Sequence, residues 1–347
     1  MPRDQSIIIC SWDSFEQELA VLEVDIEFEL RNFEYIPWAD HWLNPRRLRG
    51  SDFLMRWSQG RWSEDRFVEV VEETNNYFST PYGPSGTAPD DDPRQFELYF
   101  EHLDAAGVDS TKRPDILVFL EKDRAFINDL LKRIDEKYPL PFEPNSEVEQ
   151  YSGWERLSFI REEVPEIQEL LHRAVLAVEC ENSLWIARQM PNFGEDLRPM
   201  GRLGGKLGLP KSAKVPNIII KDEDLGRLNN WQREANVPLH IWHAFYDLAF
   251  GISLNEATRL INEGYIDARL FNYQGPGGIS EQKAIYQIHY HYAYEIGESV
   301  EEPTLFSDRI IDKNGHILPY VRFEGGKLKA SSQLLETLDH ISQVRFG

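Results

Sequence analysis

Residues 176–185 read LAVECENSLW. Leu176, Ala177, Val178 and Cys180 suit a buried strand, but Glu179 and Glu181 interrupt it. Side chains at i and i+2 of a strand share a face. The two carboxylates therefore lie together, with Leu176, Val178 and Cys180 opposite. Two such charges repel, and burial sharpens the repulsion. One of them must be protonated, or a cation must sit between them. An edge strand in water would need neither. The apolar flanks and the following stretch with Trp185 argue for a central strand, and so for a site.

The neighbouring segments supply the rest of a sheet. RPDILVFLE (113–121) and NIIIK (217–221) read as short apolar strands, and PLHIWHAFYD (238–247) as a third. Helical periodicity covers 94–107, where Phe96, Tyr99, Phe100 and Leu103 recur and Gly107 ends the run. It also covers 223–236 (EDLGRLNNWQREAN), and a charged helical excursion is expected over 123–172. SLWIARQM after β-strand LAVECEN reads as a helix, as do 14–31 and 63–78, the latter capped by Ser63. From about 270 the texture changes. QIHYHYAYEIG (287–297) alternates like a strand, and 309–331 reads as hairpins turning at Asn314-Gly315 and Gly325-Gly326. Strands alternating with helices predict an α/β (α+β) protein with a mixed central sheet flanked by helices and a smaller β-rich C-terminal segment. The expected division is 1–92 mainly helical, 93–268 core and 269–347 β-rich.

Composition narrows the function classes. The chain has 347 residues, 41% hydrophobic and 12% aromatic, enough for a packed core. No apolar run reaches the ~18–20 residues of a membrane span, and no secretory signal is visible, so a cytoplasmic protein is expected. The 2 cysteines are too few for a disulfide framework or a thiolate zinc site. The formal charge of −22 opposes non-specific polyanion binding by the whole surface, but it permits a local basic cleft. No phosphate-loop motif follows GPGG (275–278), so no nucleotide cofactor is expected.

A third acid matches the glutamate pair. Asp115 opens the strand DILVFL directly after Lys112, Arg113 and Pro114, where proline fixes the backbone entering the strand. Asp115, Glu179 and Glu181 on neighbouring strands would make an all-oxygen pocket, which suits a hard cation such as magnesium. Magnesium held by carboxylates serves phosphodiester hydrolysis by neutralising phosphate charge and activating water. Glu97 or Glu101 could add a ligand from the preceding helix. His289 with His291, and His240 with His243, lack a third zinc ligand and read as packing.

These residues resemble a known family. Pro114-Asp115 followed by Glu179-x-Glu181 looks like the PD-(D/E)xK nuclease signature. MRWSQGRWSED (55–65), PYGPSG (81–86), FELYFEHLDAAG (96–107), KRPDILVF (112–119) and ECENSLWIARQMP (179–191) resemble type II restriction endonucleases, with the AccI-like group the nearest. The resemblance spans roughly 46–250, with none visible in the first forty residues or the β-rich tail. It implies a homodimeric, magnesium-dependent endonuclease acting on double-stranded DNA and leaving 5′-phosphate ends. Asp115 and Glu179 would be metal ligands. Glu181 stands where the family usually has lysine. It would orient or deprotonate the water, or bind a second metal. Alternatively a lysine arrives from elsewhere, with Lys206, Lys211, Lys214 and Lys221 as candidates and Lys221 the best placed.

The positive charge is clustered. Arg46, Arg47, Arg49, Arg56, Arg61 and Arg66 fall within 46–66, interleaved with Trp57 and Trp62. Lys206, Lys211 and Lys214, with Arg202, lie in GRLGGKLGLPKSAK. Arginine forks suit phosphates and guanine edges, so both stretches are candidate DNA contacts. Two other readings compete: a glycoside hydrolase using paired carboxylates, and a non-catalytic acidic binding protein.

Overall fold

The computed structural model describes residues 49–83, 112–138, 154–274, 280–311 and 317–347. Helix α1 (Arg49–Glu72) leads to strand β1 (Tyr77–Pro81). Strand β2 (Ile116–Leu120) is followed by α2 (Arg124–Lys137), one helical turn at Trp154–Leu157, and α3 (Pro165–Arg173). Then come β3 (Leu176–Asn182), the two-residue strands β4 (Arg198–Pro199) and β5 (Leu207–Gly208), β6 (Asn217–Lys221) and α4 (Asp222–Ala235). Strands β7 (Leu239–Ala244) and β8 (Leu248–Ser253) precede α5 (Leu254–Asn262). The remainder is β9 (Ala268–Gln274), β10 (Ser280–His289), β11 (Tyr294–Glu301), β12 (Thr304–Ile311), β13 (Ile317–Glu324), β14 (Lys327–Ala330) and α6 (Ser332–Phe346).

The chain divides into two units. In the larger one (59–302 and 325–347) a curled seven-stranded mixed sheet runs in the order β1-β2-β3-β7-β8-β11-β14. Its one parallel pair is β3–β7, reached by the crossover through β6 and α4 that parallel pairing requires. β7 is buried along its length and β3 from Leu176 to Glu179, and apolar residues predominate over those stretches. On one face α2, α3, α4 and α5 bury Ile127, Leu130, Ile134, Ile167, Leu170, Leu228, Trp231, Leu254 and Leu260 against Leu117, Phe119, Ala177 and Ile241. On the other, α1 and α6 bury Phe67, Val70, Leu334 and Leu338 against Ile116, Val118, Val178 and Trp242. Each fully buried side chain of this kind contributes about 1.5–3 kcal/mol. A second sheet has the order β6-β10-β9.

In the smaller unit β12 and β13 pair antiparallel from Thr304↔Glu324 to Ile311↔Ile317, while the turn expected at Asn314-Gly315 lies outside the described residues. Trp57 meets Tyr320 edge-on, and Phe323 N donates to Ser58 Oγ at 3.2 Å.

The α+β class, strands 176–182 and 217–221 and the helix after Lys221 appear as read, and the described parts of the excursion, 123–138 and 154–172, are mainly helical. Several details differ. SLWIARQM is not a helix; only Ala187–Gln189 makes a 3-10 turn. The Asp247 carboxylate takes the Ala187 N–H (2.5 Å) and the Arg188 N–H (3.1 Å), while Trp185 O accepts from Tyr246 N, which holds the segment extended. The helix expected at 63–78 starts at Arg49 and stops at Glu72, since Asn75 adopts φ 60° and Tyr77 and Phe78 pair with β2. Ser63 is not its cap; its hydroxyl bonds back to Gly60 O. Residues 238–253 fold as a hairpin of two strands, and 287–297 as parts of two strands joined by a 3-10 turn. Gly325-Gly326 does not close a hairpin, because β13 pairs with β12 and β14 with β11. The C-terminal segment also ends in a helix. The helices expected at 14–31 and 94–107 lie outside the described residues.

Candidate metal and catalytic site

The β2–β3 ladder sets Asp115 opposite Glu179: Ile116 pairs with Val178, and Asp115 N donates to Val178 O at 2.8 Å. Asp115 Oδ2 in turn accepts from Cys180 N at 2.7 Å. The carboxylate is thus tied to the strand that carries the glutamates. Pro114 O lies where a Cβ on Gly83 would come within 2.5 Å, so the PYG stretch reaches this corner only as glycine. Arg113 turns away and anchors the helical excursion by donating to Leu157 O (3.0 Å) and Ile160 O (2.7 Å).

Lys112 turns the other way, and its Nζ lies 2.5 Å from Glu179 Oε1. Glu179 is 4% exposed, and its Oε2 is buried without a hydrogen-bond partner. Glu181 stands two residues on, beside His243 in the parallel register with β7. Lys221 at the end of β6 lies 4.0 Å from Glu181 Oε1 and 3.7 Å from Asp224 Oδ2 of α4. The sequence reading favoured Lys221 among its lysines, and Lys221 is the one found here. Lys112, not among those candidates, lies closest to Glu179. The sequence reading also passed over Glu64 of α1 and Asp224. Lys206 and Lys211 are engaged elsewhere: Lys206 lies over the Tyr265 ring and Lys211 3.1 Å from Asp267.

The electrostatics are those of crowded acids. Burial pushes Glu179 well above the ordinary carboxylate range; Asp115 adds to this and Lys112 opposes it. Burial raises Glu64 likewise, with Asp115 and Asp65 adding to it. Asp115 is raised by burial against Lys112, the Cys180 N–H and Lys221. Glu181 is pushed up to about 7 by burial, against Lys221 and Lys112. Burial works against the charge of Lys112, yet Glu179 and Asp115 hold it above the usual lysine range. Among the described residues, no three His, Cys, Asp or Glu side chains converge as they stand around a point fit for a metal ion. The donor chemistry nevertheless suits one. The orphaned Glu179 Oε2 lacks a partner, and a divalent cation would relieve the burial cost of Asp115, Glu179 and Glu64 together.

The other candidates are scattered. Glu101, Glu97, Arg46 and Arg47 lie outside the described residues, and of Arg49 only the backbone is described, at the start of α1. Arg56 and Arg61 are exposed on α1, as are Lys206, Lys211 and Lys214 in the loop before β6. Arg66 is buried, stacks 4.5 Å over Trp62 and approaches Phe245 O at 3.4 Å, so it supports the fold. Trp57 and Trp62 are buried as well. His240 and His243 are buried beneath the sheet faces, and burial lowers their pKa values to about 4 and about 3. Among the described residues no helix is long and apolar enough to cross a membrane.

Residues 212–346 match the family described as AccI restriction endonuclease, while no curated protein and no solved structure matches the chain. The match takes in Lys221, Asp224 and His243, and it leaves Glu64, Lys112, Asp115, Glu179 and Glu181 outside. It also reaches through the β-rich tail, where the sequence reading saw no resemblance.

Proposed function

We propose, starting from a chain similar over 212–346 to the AccI restriction endonucleases, that this protein is a type II enzyme cutting double-stranded DNA at a specific sequence. The family likeness supports a sequence-specific DNA endonuclease. The finer reading is magnesium-dependent hydrolysis leaving 5′-phosphate ends, at a PD-(D/E)xK-type centre of a homodimer. The observation that carries it is the pairing of Asp115 with Glu179 across β2–β3, beside Lys112 and an unpartnered buried carboxylate oxygen.

Asp115 and Glu179, with Glu64 as a third donor, would hold the divalent cation. Bound there, the cation would supply positive charge to the scissile phosphate and make water more acidic. The protein's own groups divide the remaining work. Cys180 N–H and the β2–β3 ladder hold Asp115 in place. Lys112 opposes the burial that favours the neutral form of Glu179 and would present an ammonium toward the developing charge on phosphorus oxygens. Glu181, raised to about 7, has the affinity to take a proton from the attacking water near neutral pH. Lys221 steadies its carboxylate from β6.

The test is to incubate plasmid DNA with the protein and magnesium, then map the ends. Discrete fragments with 5′-phosphates are expected. Asp115→Ala and Glu179→Ala should stop cleavage and keep DNA binding. Cutting by either purified variant sinks the site assignment, and intact plasmid across many sequences sinks the nuclease reading.

A further inference from the structure

A second concavity lies on the β6-β10-β9 sheet, lined by Arg202, Lys211, Asp267, Arg269, Gln287 and His289, with Tyr265 in its wall. Three cations meet one acid here. Asp267 sits 3.1 Å from Lys211 Nζ and 3.9 Å from Arg202 Nη1, which leaves a positive excess in a chain of net −22. Arg202 and Arg269 are braced by backbone: Arg202 Nη2 donates to Leu209 O (2.8 Å) and Arg269 Nη2 to Lys211 O (3.2 Å).

The floor is unusual for a surface hollow. Gln287 Oε1 and His289 Nδ1 are both buried and have no hydrogen-bond partner. Being at i and i+2 of β10, they share a face. A buried polar atom left unpaired is costly. Two in one basic hollow call for a ligand with both an anionic part and a polar edge. His289 is held neutral, its pKa lowered to about 4 by burial first, then by His291, Arg202 and Arg269. Its ring therefore offers one donor and one acceptor.

We propose that this hollow takes one nucleotide of bound DNA, its phosphate against Arg202, Lys211 and Arg269 and its base edge against Gln287 and His289. The inference rests on the nuclease reading and deepens it, making Gln287 a specificity-determining residue. A glutamine carboxamide is fully satisfied by adenine, donating to N7 and accepting from the N6 amino group. The register supports a shared DNA track. β10 pairs with β6 at Ile285↔Lys221 and His289↔Asn217, so the hollow's end of β6 lies four residues from Lys221. That is about 13 Å of strand, the rise of roughly four base pairs.

The test is binding selection from a randomised duplex pool in EDTA, with wild type, Gln287→Leu and Arg269→Gln. The wild type should enrich one sequence. Gln287→Leu should lose its preference at an adenine position by roughly 10- to 100-fold. Arg269→Gln, an exposed change that spares folding, should weaken all sequences alike and lower the salt slope by about one phosphate contact. An unchanged sequence profile for Gln287→Leu overturns base reading, and an unchanged salt slope for Arg269→Gln overturns the phosphate contact. A wild type that enriches sequence while both variants match it overturns the hollow alone. A wild type that binds no DNA overturns the nuclease reading and this occupant with it.

Discussion

Lys112→Met isolates the electrostatics of the acid cluster. The side chain of Glu179 is 6% exposed and that of Lys112 26%, at 2.5 Å between charged atoms. Removing one partner of a buried pair costs about 3–5 kcal/mol when the other charge stays behind unpaired, and less when burial favours the neutral acid, as it does for Glu179. Together with the partial exposure of Lys112, this puts the loss at the low end, about 3 kcal/mol. Methionine keeps the stem's packing, so the change is mainly one of charge. In a chain of this size each kcal/mol moves Tm by about 1.4 °C, which predicts a drop of about 4 °C in EDTA. Magnesium should recover most of the drop, since a cation on Asp115 and Glu179 replaces the lost charge. Thermal melts in EDTA and in magnesium, alongside wild type, read both effects. If Lys112→Met melts with the wild type in both buffers, the pair does not hold the site together. If it melts low in both, the cation does not bind where Lys112 acts.

Three further outcomes follow from the geometry. Gly83→Ala drives a Cβ to 2.5 Å from Pro114 O and must displace the strand mouth of Asp115; cleavage should fall by about 100-fold with Mg-free charge unchanged, measured as single-turnover rate. His243, with its folded pKa of about 3 below the unfolded value, takes up a proton only on unfolding between those limits. Its contribution is present above about pH 6.5 and is lost as pH falls. Relative to wild type, His243→Phe should therefore gain about 1.4 kcal/mol for each pH unit lowered through that window, read by urea unfolding at pH 7 and pH 5. Glu181, raised by burial, behaves in the opposite sense. In the metal-free protein its stability cost appears as pH rises from about 4.5 through about 7, and Glu181→Gln should flatten that slope in EDTA.

The acid pair was legible because strand alternation is local: one face of Leu176–Asn182 carries Glu179 and Glu181 whatever surrounds it. The cap of α5 was equally local and was missed. Ser253 Oγ accepts from Glu256 N at 3.1 Å, the S-x-x-E signature standing in the sequence. Thr74-Asn75-Asn76 likewise announced the end of α1 before Tyr77 joined the sheet. SLWIARQM carried no such warning, because its backbone donors are taken by Asp247, 59 and 60 residues away.

The sequence by itself determined which residue types could meet: acids at two strand mouths, arginines and lysines in separate runs, and a core large enough to bury carboxylates. Only the tertiary structure decided the partnerships. Lys112 rather than a loop lysine reaches Glu179, Glu64 arrives from α1, Arg66 is spent on packing, and Gln287 and His289 are left facing a basic hollow. The physical reason is distance along the chain. Periodicity reports which way a side chain points within its own element. Register between elements, set by burying every apolar face at once, determines which charge it finds there.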